Sequence, residues 1–240
     1  MAQQSVEFWD NIFSEANNGQ MYSPLSDPVL SSANQHFGDL RGKKLLDIGS
    51  GDGQASLFFA QQGAEVTAID LSQVAVDRLN RLVAEHGLHN LHAQRAAAED
   101  IASLGRFDHV FGSMILHHIE PFADFARDLR QAVAPGGTAF FFENSAASRI
   151  LIWFRSHVVG RFGVAKFGDP EESPLEPREI DALRRHFTVD IEYPELLFFQ
   201  LASVYLLKYR AKRTCKRIDE ILYRFPAMRR MSYRQILYLR

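Results

Sequence analysis

One cysteine in 240 residues, Cys215, excludes an intrachain disulfide and a cysteine-built metal centre, and no metal is expected. No apolar run approaches the ~20 residues of a bilayer-spanning helix. The longest, Leu196 to Leu207, is interrupted by Gln200 and Ser203. The opening MAQQSVEFWDNIFSE lacks the basic head and apolar centre of a secretory leader, so the expected location is cytoplasmic. An excess of charge is lacking too. With 27 Lys and Arg against 29 Asp and Glu, the net charge of −2 gives no global attraction for nucleic acid. Repeats and low-complexity tracts are absent. What remains, 46% hydrophobic and 23% charged, is a globular chain long enough to bury a large core.

The chain is organised around Lys44 to Ala55, KLLDIGSGDGQA. Leu45, Leu46 and Ile48 form a short apolar run that carries Asp47. Gly49, Gly51 and Gly53 follow at alternating positions, and a helix-forming segment comes next. A buried strand, a tight glycine-rich turn and a helix N-terminus open a nucleotide-binding βαβ unit. From there the alternation is regular. Strands are expected at Lys44–Ile48, Glu65–Ile69, Leu91–Gln94, Asp108–Gly112 and Thr138–Phe142, the last entered through a turn at Pro135-Gly136-Gly137. Helices are expected at Gln54–Gln62, after Ser72 with Val76, Leu79, Leu82, Val83 and His86 on one face, and after Pro121. Strands joined through helices by short connections imply a parallel sheet covered on both faces.

Before this core, Val6, Phe8, Trp9, Ile12 and Phe13 recur at helical spacing, and a second helix is expected over Pro28 to Phe37. Such a preface is available to fold over a ligand. After Asn144 the rhythm breaks into a mixed apolar and basic segment and a polar loop. It returns with a helix at Pro177–His186 and a strand at Phe187–Tyr193. A helical insertion then runs from about Leu196 to Phe225, and Ser232–Leu239 reads as a final strand. One domain is expected over 1–240: a helical cap over 1–40, a cofactor-binding core over 41–144, acceptor-side insertions over 145–176 and 195–230, and 177–194 with 231–240 completing the sheet.

The glycine turn distinguishes between nucleotides. A dinucleotide site has a third glycine in G-x-G-x-x-G, but Gln54 stands at that place. Asp47 and Asp52 lie within or beside the turn, where they would repel a pyrophosphate. A ligand bearing an ammonium and a sulfonium suits them, and S-adenosylmethionine has both. Its ribose diol requires an acid after the second strand, and Asp70 stands there.

These motifs resemble the class I S-adenosylmethionine-dependent methyltransferases, within the small-molecule group that includes ubiquinone, menaquinone and biotin-pathway enzymes. The resemblance is close over about residues 40–145. LLDIGSGDG resembles the first motif, which implies cofactor contacts at Asp47, Gly49, Ser50, Gly51 and Gly53. AIDLS resembles the second, with Asp70 on the ribose hydroxyls and Leu71 beside the adenine. AAAED resembles the third; Ala97 stands where the family often has an acid, so the adenine contact passes to Glu99 or to backbone near Ala98. FDHVFGSMILHHI, which contains Ser113, resembles the fourth, and SYRQILYL the reversed last strand. The implied fold is a Rossmann-like, doubly wound α/β sheet of seven strands, mostly parallel with an antiparallel last strand, plus helical cap insertions. The implied activity is that of a transferase that moves a methyl group and releases S-adenosylhomocysteine.

In-line methyl transfer requires alignment of the acceptor and exclusion of water, and a base only for a protonated acceptor. His117 and His118 after strand four are base candidates, or else a structural pair. Glu143 is a candidate to orient an acceptor amine or hydroxyl, or to bond a neighbouring loop. Tyr22 is a candidate to close over the methionine moiety or the acceptor, or is a packing aromatic. From Lys208 to Arg240, Lys and Arg exceed Asp219 and Glu220 by nine charges, directly after the apolar Leu196–Leu207 stretch. The first insertion repeats the mixture with Trp153, Phe154, Arg155 and Arg161. These segments are read as solvated capping helices, as a greasy, basic-rimmed pocket for an amphiphilic anionic acceptor, as a lipid-contacting patch, or as a homodimer surface. No specific nucleic acid is expected, because Gly112-Ser113-Met114-Ile115 replaces the Asn/Asp-Pro-Pro-aromatic stretch of base-amino methyltransferases. A nicotinamide oxidoreductase and a non-catalytic S-adenosylmethionine-binding protein are the rivals from other classes.

Overall fold

The structure is a computed structural model that describes residues 6–7, 9–11, 13, 27–161, 173–208 and 210–240. Tyr22 and residues 162–172 of the first insertion lie outside the described residues. Val6, Glu7, Trp9, Asp10, Asn11 and Phe13 are helical. The elements that follow are α1 (Asp27–Phe37), β1 (Lys44–Ile48), α2 (Gln54–Gln61), β2 (Glu65–Asp70), α3 (Gln73–Glu85) and β3 (Leu91–Arg95). A 3-10 turn (Ala98–Leu104) leads to β4 (Phe107–Ser113), and a second (Leu116–His118) leads to α4 (Phe122–Ala132). Then come β5 (Val133–Asn144), α5 (Arg149–His157), α6 (Pro177–Arg184), β6 (Val189–Glu192), α7 (Phe198–Tyr205), α8 (Lys212–Leu222), α9 (Pro226–Arg229) and β7 (Arg234–Leu239).

The seven strands form one sheet in the order β3-β2-β1-β4-β5-β7-β6. β1 to β5 pair in parallel, and β7 runs antiparallel between β5 and β6. The Rossmann-like doubly wound α/β fold with an antiparallel last strand is therefore as expected. The inner strands alternate their side chains between two cores. Leu46, Ile48, Val110, Phe141 and Leu237 pack under α4 and α6, while Leu45, Val66, Phe111, Phe140 and Ile236 pack under α1, α2 and α3. Burying side chains of this size stabilises the fold by roughly 1.5–3 kcal/mol each.

Local signals set several helix starts. Ser72 caps α3 by accepting the Ala75 N–H, Ser148 caps α5 through Leu151, and Glu176 and Glu179 form a capping box around Pro177 on α6. Two expectations need correction. Strand five begins at Val133 rather than Thr138: the register against β4 jumps from Phe107↔Val133 to His109↔Thr138, so Pro135-Gly136-Gly137 is a bulge inside a longer strand. His86 is not on the buried face of α3 but is its exposed C-cap residue.

The second insertion is a helical pair held by one carboxylate. Asp219 on α8 is buried, and its two oxygens accept the N–H groups of Phe199 and Gln200 at 2.9 Å each. A carboxylate there satisfies amides that the first turn of α7 leaves unpaired and complements the helix dipole. Among the described residues, no helix is long and apolar enough to cross a membrane.

Candidate active site

At the carboxyl end of β1 the chain turns through Gly49, Gly51 and Gly53, all at positive φ. Two of these positions have no room for a side chain. A Cβ on Gly49 would lie 2.8 Å from Ile115, and one on Gly53 would lie 2.5 Å from Leu79. The first contact lets the loop after β4 rest directly on the turn. The second packs α3 against it. Gly51 faces the N-terminal helix, where a Cβ would meet the Phe13 ring at 3.4 Å.

Asp70 ties β2 to this turn. Its Oδ2 accepts the Gly51 N–H and its Oδ1 the Ser72 N–H, each at 2.9 Å. Asp10, from the N-terminal helix, accepts the Ser72 hydroxyl. Asp47 is buried at the end of β1 with the Ser56 hydroxyl on its Oδ2. Burial pushes its carboxyl up to about 7, against the Ser56 bond and with the charges of Asp70 and Asp52 adding to the rise. Burial likewise raises the Asp70 carboxyl, with Asp10 contributing. The leading charge effects on both acids thus come from other carboxylates, in a turn that repels anions. Ser50 Oγ is buried there without a hydrogen-bond partner among the described residues.

The flanks of the turn differ in exposure. Leu71, next to Asp70, is 40% exposed, unusual for a large apolar side chain. Ala98 is buried at the start of its 3-10 turn, and Glu99 beside it is exposed. Ser113 ends β4, half-buried and paired with Phe142.

Across the turn, Glu143 at the end of β5 organises the loop after β4. Its Oε1 accepts the N–H groups of Ile115 and Leu116 at 2.8 and 2.7 Å, and its Oε2 lies 2.7 Å from His117 Nδ1. Both side chains are buried. The carboxylate is thus engaged by the neighbouring loop and by His117. A carboxylate already accepting two amides accepts the Nδ1–H, which leaves Nε2 as the ring's lone-pair nitrogen. The His118 ring centroid lies 4.1 Å from that of His117, and Trp9 meets the His118 ring edge-on at 5.9 Å.

The sequence-predicted residues other than Tyr22, which is outside the described residues, therefore lie at the carboxyl ends of β1, β2, β3, β4 and β5. Sequence reasoning missed Asp10, Ile115 and Met114. It read Trp9 and Phe13 as one face of a helix available to fold over a ligand, and the structure sets Phe13 against Gly51 and Trp9 against His118. The orphan hydroxyl and the glycines with no space for a Cβ fit S-adenosylmethionine, and the acidic residues suit its cationic groups and disfavour a pyrophosphate.

A methyltransferase-domain profile matches residues 45–137. A ubiquinone biosynthesis O-methyltransferase from Cronobacter sakazakii is 32% identical over 167 residues, covering 62% of this chain and 68% of that protein. The chain belongs to the class I S-adenosylmethionine-dependent methyltransferases. An enzyme of the same description from Acinetobacter baylyi is 27% identical over 139 residues, and the match spans only 57% of its length. Among solved structures, a methyltransferase from Mesorhizobium loti superposes with a TM-score of 0.58 at 18% identity, over 89% of this chain and 96% of that one. The [4+2]-cyclase SpnF superposes with a TM-score of 0.65 at 18% identity, over 100% and 96%. At such identities the likeness is one of fold, and a cyclase among the neighbours shows that fold and chemistry are separable.

Proposed function

We propose that this chain transfers the methyl group of S-adenosylmethionine to a small-molecule acceptor. The observation that carries the reading is the glycine turn flanked by Asp10, Asp47, Asp52 and Asp70: a bound cation favours the ionised forms of these acids, including the Asp47 and Asp70 carboxyls that burial otherwise raises, whereas a pyrophosphate opposes them. Such a ligand supplies an electrophilic methyl on a sulfonium. Asp70 keeps lone pairs for the ribose hydroxyls beside its two amide bonds, and the exposed Leu71 offers an apolar face for the adenine. Ala98 and Glu99 would border the adenine, and Ser50 and Ser113 would offer hydroxyls to the methionine moiety. The N-terminal helix covers the turn and excludes water. The acceptor lies beyond the ends of β4 and β5, where His117, oriented by Glu143, takes its proton. His118 lines the same wall, and Tyr22 belongs to the cap.

The two insertions build the acceptor side. Phe154 of α5 meets Tyr205 of α7 with ring centroids 6.2 Å apart, and Arg155 donates to the Tyr233 hydroxyl at 3.0 Å. A second reading, action at an anionic lipid surface, is favoured by Ile150, Trp153, Ile221 and Phe225. Each is more than half exposed on the basic insertions.

Calorimetry with S-adenosylhomocysteine and NAD, joined to transfer of labelled methyl groups into small metabolites of an extract, tests the reading. Asp70→Asn should weaken S-adenosylhomocysteine at least about tenfold by removing charge-assisted bonds. Tight NAD binding with none of the homocysteine compound overturns the cofactor assignment. Cofactor binding without any labelled product overturns the transfer.

A further inference from the structure

Arg234 opens β7 opposite Asn144, one residue past Glu143 along β5. Its guanidinium reaches back across the sheet end. The guanidinium carbon lies 5.3 Å from the centroid of the Phe142 ring, and Nη1 donates to the Met114 sulfur at 3.1 Å. Met114 directly follows β4, so this cation spans the carboxyl ends of β4 and β5.

Its partners do not account for it. A guanidinium carries five N–H donors, and among the described residues the one side-chain acceptor it meets is a thioether, which accepts weakly. Among the described residues, no carboxylate lies within ion-pair distance of it. Glu195 feels its charge, which lowers that carboxyl against the rise from burial, but no ion pair joins the two. Stacking on Phe142 contributes only weakly at a partly exposed site. That is small against the cost of half-burying an unpaired cation.

The placement is nevertheless enforced. Met114 is a non-glycine residue at φ 56, a left-handed conformation that L side chains rarely adopt. The Phe142 carbonyl holds it there by accepting the Met114 N–H at 2.8 Å. Strain fixed by its surroundings at the mouth of a site points to a role for what it positions. Charge is also divided across the site. The glycine turn is acidic, while this end carries Arg234 and, bonded to the adjacent Tyr233, Arg155.

We propose that Arg234 reads an oxyanion on the acceptor: the guanidinium, set across the ends of β4 and β5 by Met114 and Phe142, pairs with a carboxylate or phosphoryl group of the substrate. The inference rests on the methyltransferase reading and names its acceptor class. Arginine suits the task because its planar fork meets two oxygens at once. The cationic cofactor then occupies the acidic half of the site and the anionic acceptor the basic half.

Benzoate, phenylphosphonate and neutral benzamide serve as probes, titrated by calorimetry into S-adenosylhomocysteine-loaded protein. Wild type should bind at least one of the two anions at least about tenfold tighter than benzamide, and the preferred anion distinguishes carboxylate from phosphoryl recognition. Arg234→Met, which keeps an apolar stem on Phe142, should lose that preference while its affinity for S-adenosylhomocysteine and its Tm stay at wild-type values. Arg234→Lys, which keeps the charge without the fork, should fall between. Loaded wild type that prefers neither anion to benzamide, or an Arg234→Met protein that retains the preference, overturns the role of Arg234 alone. Wild type that fails to bind S-adenosylhomocysteine removes the cofactor reading itself.

Discussion

Glu143 shows how one side chain can fix both a loop and a tautomer. Its Oε1 satisfies the Ile115 and Leu116 amides and its Oε2 meets His117 Nδ1, so in the proposed reaction it would act through His117 as a positioning residue. In Glu143→Gln the amide oxygen can keep the two backbone N–H groups, which turns the NH2 group toward His117. The imidazole must then accept at Nδ1 and carry its proton on Nε2, where a base needs a lone pair. Methyl transfer to a protonated acceptor should fall by about 10²–10⁴-fold in kcat, with affinity for S-adenosylhomocysteine unchanged. A purely structural Glu143 would instead lower Tm and cofactor affinity and leave kcat near wild type in the protein that remains folded. Steady-state kinetics beside calorimetry separates the two outcomes.

At the scale of elements, the insertions expose apolar side chains that a globular surface seldom leaves bare. Trp153 and Phe225 are each 58% exposed, and basic residues surround them. If these helices rest on lipid, the protein should float with vesicles rich in anionic phospholipid, release at high salt, and stay behind with neutral vesicles. Each nearby Lys or Arg adds about 1 kcal/mol of attraction. Absence from the anionic fraction at low salt counts against the lipid reading and leaves the soluble acceptor. The elements also differ in how legible they were in sequence. β1 and its turn stand out because a strand buried on both faces reads as an apolar run, and the glycines sit where positive φ requires them. Pro135-Gly136-Gly137 reads locally as a turn, yet pairing with β4 absorbs it as a bulge in β5. The contacts that assemble the site join distant residues, Ser72 with Asp10 across 62 positions and Arg234 with Met114 across 120. No local period encodes such contacts. Asp219 illustrates the same limit: counted in the sequence as one acid in a basic run, it is the buried clip between α7 and α8.

At the scale of the whole molecule, two buried titratable groups on the same sheet pull stability in opposite directions with pH. Asp47 is held mainly protonated in the fold, its carboxyl pushed by burial from 3.8 up to about 7. Its contribution is full below the unfolded value and is lost as pH rises through 7, because the unfolded chain has already released the proton. His109, buried against Phe37 with Nδ1 3.1 Å from the Thr138 hydroxyl, is pushed by burial from 6.5 down to about 4. Its contribution is full above 6.5 and is lost as pH falls through 4, because the unfolded chain takes up a proton that the fold refuses. Each effect is on the order of 3 kcal/mol at full extent. Between about pH 4.5 and 6.5 the folded state holds one proton more at Asp47 and one fewer at His109, so the two slopes cancel. Single substitutions should expose them. His109→Gln should leave a protein whose urea midpoint falls as pH rises through this window. Asp47→Asn, which keeps an acceptor for Ser56, should give one whose midpoint falls as pH is lowered. Urea titrations across the window measure the slopes directly, and parallel profiles for wild type and both variants would show that neither group is buried in the charge state assigned to it.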